Sequence, residues 1–186
     1  ELEELQSNVV GAQVGNEAIA TALKAAAIGL ALIAVFMIAY YWVAGLAAAL
    51  ALGIYTTLVV AVLYLFEITL TLPGIAGIIL SIGMAVDANV IIFARIREEL
   101  ATGKTVAAAI KTGFQKALSA IIDGNVTTLI AAAVLGVKGS GTVKGFAYTL
   151  AIGIILSMFT ALVVTRVILH GLYLAGFRDA KFYGAQ

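Results

Sequence analysis

Cysteine is absent from the 186 residues, which removes disulfides, thiol nucleophiles and thiolate metal ligands together. Histidine occurs once, at His170, so no histidine pair can hold a metal, and no serine–histidine–acid set can be assembled within the membrane. Proline also occurs once, at Pro73. Charge is scarce: Asp, Glu, Lys and Arg make up 11% of the chain, against about 25% in a soluble domain. A solvated surface cannot be built from so little. The 11 basic residues are too few, and too close to the expected membrane face, for a nucleic-acid site. The glycine-rich stretch GVKGSGTVKG has no phosphate-loop spacing and no soluble helix after it. These absences exclude an enzyme in the ordinary sense and imply no cofactor.

What is present is apolar. Hydrophobic residues make up 63% and the mean hydropathy is +1.12. The N-terminal ELEELQSNVVGAQVGNEAIATALK has neither the basic start nor the small-residue cleavage site of a signal peptide, and no initiator Met. A fragment of a longer protein is expected. A bilayer core about 30 Å thick needs about 20 apolar residues of helix. Five segments qualify, at about 25–42, 46–66, 74–94, 118–137 and 145–169. The expected fold is an all-α membrane protein, a bundle of five transmembrane helices. Pro73 falls where the third span begins, a position whose missing N–H costs nothing. The long polar connection contains Thr105 as an N-cap, followed by Val106, Ile110, Phe114 and Leu118 at intervals of four. A short amphipathic helix is expected over 105–117, lying on the membrane surface or packed on the bundle end, and running into the fourth span. Residues 25–173 form the bundle and 174–186 a tail.

Lysine and arginine are sorted by side. Arg95, Arg97, Lys104, Lys111, Lys116, Arg166, Arg178 and Lys181 fall on one side, and Lys24, Lys138 and Lys144 on the other. That asymmetry places the long connection and the C-terminus in the cytoplasm. Small residues recur every fourth position as Gly77, Ser81 and Ala85, as Gly124, Thr128, Ala132 and Gly136, and as Gly153, Ser157, Ala161 and Thr165. Such stripes mark close helix contacts in lipid, so spans three to five should form the core. Spans one and two, richer in Leu, Val and aromatic residues, should face lipid.

Two carboxylates stand out. Asp87 in SIGMAVDANVIIF and Asp123 in LSAIIDGNVTTLI lie amid apolar residues, where a charge costs at least about 2.5–3.5 kcal/mol. Asp87 is eight residues from Arg95 and Asp123 seven from Lys116, so both sit roughly 10–12 Å in from the same edge. Each precedes an amide by two, Asn89 and Asn125, in a repeated D-x-N. Residues two apart do not share a helix face, so each pair addresses two neighbours. One reading is a protonatable carboxylate that ionises when water reaches it and couples proton flow to a conformational cycle. The other is a structural group satisfied by hydrogen bonds to Asn, Thr127, Thr128 or Ser. Arg166 can snorkel to the headgroups as an anchor, and Glu67 reads as a solvated end charge.

The stretch LPGIAGIILSIGMAVDANVIIFARIREELATGKTVAAAIKTGFQKALSAIIDGNVTTLIAAAVL resembles the C-terminal membrane region of the SecD/SecF protein-export family, within the resistance-nodulation-division superfamily. VKGFAYTLAIGIILSMFTALVVTR and VGNEAIATALKAAAIGLALIAVFMIAYY extend the likeness over about residues 10–173, and AVDAN points to its SecD branch. The resemblance implies helices two to six of a six-helix subunit, with residues 1–24 ending an extracytoplasmic domain or linker. It implies a bacterial or archaeal plasma-membrane protein that works with SecF, the SecYEG channel and SecA, using the proton-motive force to draw unfolded preproteins across. It also implies that Asp87, with Asn89, takes part in proton passage. Asp123 and Asn125 match the family's second motif except that Gly124 replaces alanine, and the relay's basic partner would lie in the SecF half. The alternatives are a small-molecule or lipid exporter of the same superfamily, and a non-transporting scaffold that docks to a channel.

Overall fold

The computed structural model describes residues 12–177 and 179–183, with side chains from residue 17 onward. Residues 1–11, Arg178 and residues 184–186 lie outside the described residues, and with them the first 11 residues of the expected linker, one basic residue and the end of the tail. All regular structure among the described residues is helical: α1 (Ala12–Leu65), α2 (Leu72–Ala101), α3 (Val106–Lys138), α4 (Thr142–Phe159), a π-helical turn (Thr160–Val164), α5 (Thr165–Leu174) and a 3₁₀ turn (Ala180–Tyr183). The expected linker over residues 12–24 is instead the start of α1, because AQVGNEAIATALK is rich in good helix formers.

Four helices among the described residues are long and apolar enough to cross a membrane, where five separate ones are expected. The difference lies in α1. Its 54 residues would run about 80 Å if straight, more than twice a bilayer core. The helix breaks at Trp42, whose φ of 52° and ψ of −120° are not helical. Gly45 then lies so close to Met37 that a Cβ on it would fall 1.9 Å from the Met37 carbonyl oxygen, although eight residues of straight helix span about 12 Å. The chain therefore doubles back at Trp42, between the first two expected spans. After Leu65 the second arm ends in a Schellman motif: Ile68 N–H donates to Leu63 O at 3.1 Å, Glu67 N–H to Tyr64 O at 3.2 Å, and Glu67 takes a φ of 50°.

Helix α2 starts at a Thr71 cap that accepts from Gly74 N–H at 3.1 Å, with Pro73 in the first turn. Helix α3 starts at Thr105, which accepts from Ala108 N–H at 3.4 Å. It runs unbroken to Lys138, so the expected amphipathic helix and fourth span are one element. No glycine, proline or π turn interrupts its hydrogen bonding at residue 117. The last crossing, Thr142–Leu174, contains the π turn. The expected tail does not hang free: Tyr183 is 1% exposed, and its hydroxyl donates to Phe177 O at 3.0 Å.

Helices α2 and α4 meet most closely. A Cβ on Gly77 would fall 2.6 Å from Thr149 Oγ1, and one on Gly153 would fall 2.3 Å from Ser81 Oγ. Thr149 donates to Gly74 O at 2.9 Å, and the buried Tyr55 hydroxyl donates to Ser81 Oγ at 2.7 Å. Ser157 and Ala161 continue this buried face. Helix α3 departs from expectation at Gly124 and Thr128. Gly124 has open space within 4 Å and Thr128 is half-buried, because α3 stands away from α2 at that height. The second arm of α1 is also less lipid-facing than expected, since Ala44, Ala47, Ala48, Ala51, Tyr55 and Val59 bury one of its faces.

One end of the bundle gathers Tyr41, Phe93, Ile96, Leu100, Phe114, Leu169 and Tyr183 into an apolar cluster. There the Arg97 guanidinium lies 5.5 Å from the centre of the Tyr40 ring. This contact sets the Trp42 break at the same end as the basic residues of α2.

Candidate functional site

In the D-A-N of α2, two residues rotate the side chain by about 200°, which puts Asp87 and Asn89 on opposite faces. Asn89 points into the bundle and is 3% exposed. Its amide nitrogen donates to Ala85 O at 3.2 Å, and its oxygen accepts from the Thr165 hydroxyl at 2.8 Å. Thr165 reaches that position through the π turn, where its own N–H donates to Thr160 O five residues back. The extra residue in such a turn rotates the rest of the helix by about 100°. Asp87 is exposed on the other face.

The D-G-N of α3 repeats this division, with the amide buried and the acid exposed, but it leaves the amide oxygen unpaired. Asn125 is 7% exposed and its nitrogen donates to Ile121 O at 2.7 Å. Its oxygen is the one buried side-chain polar atom among the described residues with no hydrogen-bond partner. Asp123 is exposed and accepts from Ser119 Oγ at 3.2 Å on its own helix.

Asp87 and Asn125 line one cleft between α2 and α3, of about 250 Å³, together with Thr128, Gly124, Met84 and Ile91. Asn89 and Asp123 do not line it. The pairing is thus the acid of the first motif with the amide of the second. A buried acceptor without a partner calls for a donor. The cleft is polar enough and, at about 30 Å³ of liquid volume per water, roomy enough for water to supply one.

Sequence reasoning missed Glu99, which lies beyond the apolar stretch of α2. Its side chain is 3% exposed and forms ion pairs with Lys104, across the turn after α2, and with Lys116 of α3 at 2.5 Å. The Lys104 hydrogen bond first, and the Lys116 one second, hold its carboxyl below the usual glutamate value. The only trace in sequence is an acid five residues before a lysine. It was unreadable without knowing that α3 crosses there, where a Cβ on Gly113 would fall 2.9 Å from Ile96 N. Tyr55, the partner of Ser81, was missed because its contact too joins two helices, the second arm of α1 and α2. No cluster of metal-binding side chains occurs among the described residues.

The family model for the protein export membrane protein SecD/SecF, C-terminal, matches residues 1–174. Protein translocase subunit SecD of Acidaminococcus fermentans is 52% identical over 186 residues, all of this chain and 45% of that protein. The SecD subunit of Synechocystis is 54% identical over 168 residues, 90% of this chain and 36% of the relative. The chain therefore spans less than half the length of these curated relatives. The crystal structure of SecDF, a translocon-associated membrane protein from Thermus thermophilus, superposes with a TM-score of 0.87 at 42% identity, covering 90% of this chain and 23% of that one. SecDF in its super-membrane-facing form gives 0.81 at 43% identity, covering 86% and 22%.

Proposed function

The chain belongs to the SecD/SecF family of protein-export membrane proteins, and from that premise we propose that it is the membrane portion of a translocase subunit that couples proton flow to preprotein export. The observation that carries the reading is the cleft holding Asp87 and the unpartnered oxygen of Asn125. An acid so placed is neutral when water is excluded and ionised when water enters, so its charge reports the shape of the cleft. Asn89 holds α2 to α5 through Thr165 and thereby fixes the register of Asp87. Asp123, facing away, has a smaller part.

The working unit pairs this chain with SecF, at the SecYEG channel, in the plasma membrane, after SecA has delivered the preprotein. The clustering of Arg97, Lys104 and Lys116 at one end supports a cytoplasmic placement of that end. The subunit performs no bond-making chemistry of its own. The test uses the full-length subunit with its partner in inverted membrane vesicles. Asp87→Asn keeps size and hydrogen bonding but removes the titratable proton, so it should insert and fold normally yet lose stimulation of export by the proton gradient. One charge moved through 100 mV is worth about 2.3 kcal/mol, which an amide cannot capture. Full gradient dependence in Asp87→Asn would make Asp87 structural and favour the scaffold reading.

A further inference from the structure

A second cavity, of about 230 Å³, lies between α3 and α5 at the basic end of the bundle. Lys111 from α3 and Arg166 and His170 from α5 line it with Ala107, Ile110 and Tyr173, and none of these six is acidic. The Arg166 guanidinium is also steadied over the Phe114 ring, 5.9 Å from its centre. Lys111, Arg166 and His170 are all exposed. Neither the cleft at Asp87 nor the helix contacts call for three nitrogen-bearing side chains on one hollow.

We propose that this cavity binds the phosphate headgroup of an anionic phospholipid of the leaflet at that end. A basic hollow between helices at a membrane face suits such a headgroup, and a planar guanidinium can grip two phosphate oxygens at once. The depth profile selects a lipid over a soluble anion. Seven residues along α3 from Lys111, on the same face, Leu118 is 41% exposed. One turn before Arg166, toward the membrane interior, Val163 is 46% exposed. Both walls of the hollow are thus cationic at the end and apolar one or two turns deeper, which matches a charged headgroup with acyl chains below it. The inference rests on the membrane placement and is independent of whether Asp87 carries protons.

The full-length subunit, purified with its partner in detergent, should be titrated separately with phosphatidylglycerol, phosphatidylcholine and inorganic phosphate, with retained molecules counted by native mass spectrometry. Phosphatidylglycerol should be held about tenfold or more tightly than phosphatidylcholine, as two to three nearby cations dictate. Lys111→Gln, a change at an exposed side chain, should weaken phosphatidylglycerol about fivefold, and Lys111→Gln with Arg166→Gln should bring it to the phosphatidylcholine level. Lys138→Gln with Lys144→Gln, at the opposite end, should leave it unchanged. Equal retention of the two lipids, or equal phosphatidylglycerol retention by the wild type and the double variant, would overturn the proposal. So would millimolar phosphate displacing the lipid, which would assign the cavity to a soluble anion.

Discussion

The Thr165 hydroxyl donates to the Asn89 side-chain oxygen at 2.8 Å, across 76 positions of sequence, and both residues are buried. This bond joins the two elements that set Asp87 in place, α2 and the segment after the π turn. The amide opposite, Asn125, has no such partner on its oxygen. Two similar motifs thus differ in whether the amide oxygen is satisfied from within the chain.

Thr165→Val keeps the shape and removes the donor, leaving the Asn89 oxygen buried without a partner. A cost of about 1–3 kcal/mol is expected in unfolding by a denaturing detergent. In a double-mutant cycle with Asn89→Ala the coupling should be about 0.6–1.7 kcal/mol, the range for bonds between membrane helices. Additive effects would show that the two residues do not interact in the folded protein.

Gly153→Leu should be far more disruptive than Gly124→Leu. A side chain on Gly153 drives into Ser81 and Tyr55, while one on Gly124 meets open space. The first should lower the thermal midpoint in detergent or prevent assembly, and the second should leave it within a few degrees. Similar midpoints for the two variants would mean that α2 and α4 are not in close contact.

Glu99 gives a pH signature. Its folded-state carboxyl is held below the ordinary value of 4.5, chiefly by Lys104 and then by Lys116. Its stabilising contribution is therefore present above pH 4.5 and is lost as pH falls through the lower folded value. Glu99→Gln should reduce stability at neutral pH and flatten the fall in stability below pH 4.5. An unchanged acid limb of the profile would show that the two ion pairs contribute nothing.

Topology can be read with single cysteines, since the chain has none. Thr102 and Ser140 are both exposed in turns between helices, at opposite ends of the bundle. In intact cells Thr102→Cys should resist an impermeant thiol reagent, and Ser140→Cys should label, as the lysine and arginine asymmetry requires. Labelling of Thr102→Cys alone would invert the orientation.

Composition and hydropathy reach the class of the fold because the bilayer imposes a length that a run of apolar residues either meets or does not. The start of α2 was legible for a local reason: Thr71 and Pro73 act within one turn. The reversal at Trp42 was legible only as a gap between apolar runs, because its cause, the approach of Gly45 to Met37, is a contact between two arms. The π turn carries no compositional mark, since TALVV reads as ordinary helix, and so the meeting of Thr165 with Asn89 could not be foreseen. The two acids stood out in sequence by their apolar neighbours. That Asp87 shares its cleft with Asn125 and not with Asp123 depends on the rotation of α3 against α2, which single-chain periodicity does not fix. The small stripe on α3 misled because small residues serve equally to admit a neighbour or to line an opening.

Helix α3 is held at both of its ends. At one, Glu99 grips Lys116 and Gly113 sits on the Ile96 backbone; at the other, Gly136 lies against Tyr148 and Ala132 packs with Leu150 and Ile154. Between these footings a cleft opens between α3 and α2, with Asn125 on the arched helix facing the wall that carries Asp87. An arch with fixed feet does not shut like a hinge, because closing it would cost the contacts at one foot. The unwalled side of the cleft, where Asp87 is exposed, is left to be sealed by whatever lies alongside. On the proposed reading of Asp87, the dryness of that seal, whether acyl chains or a neighbouring helix, governs when the carboxyl meets water.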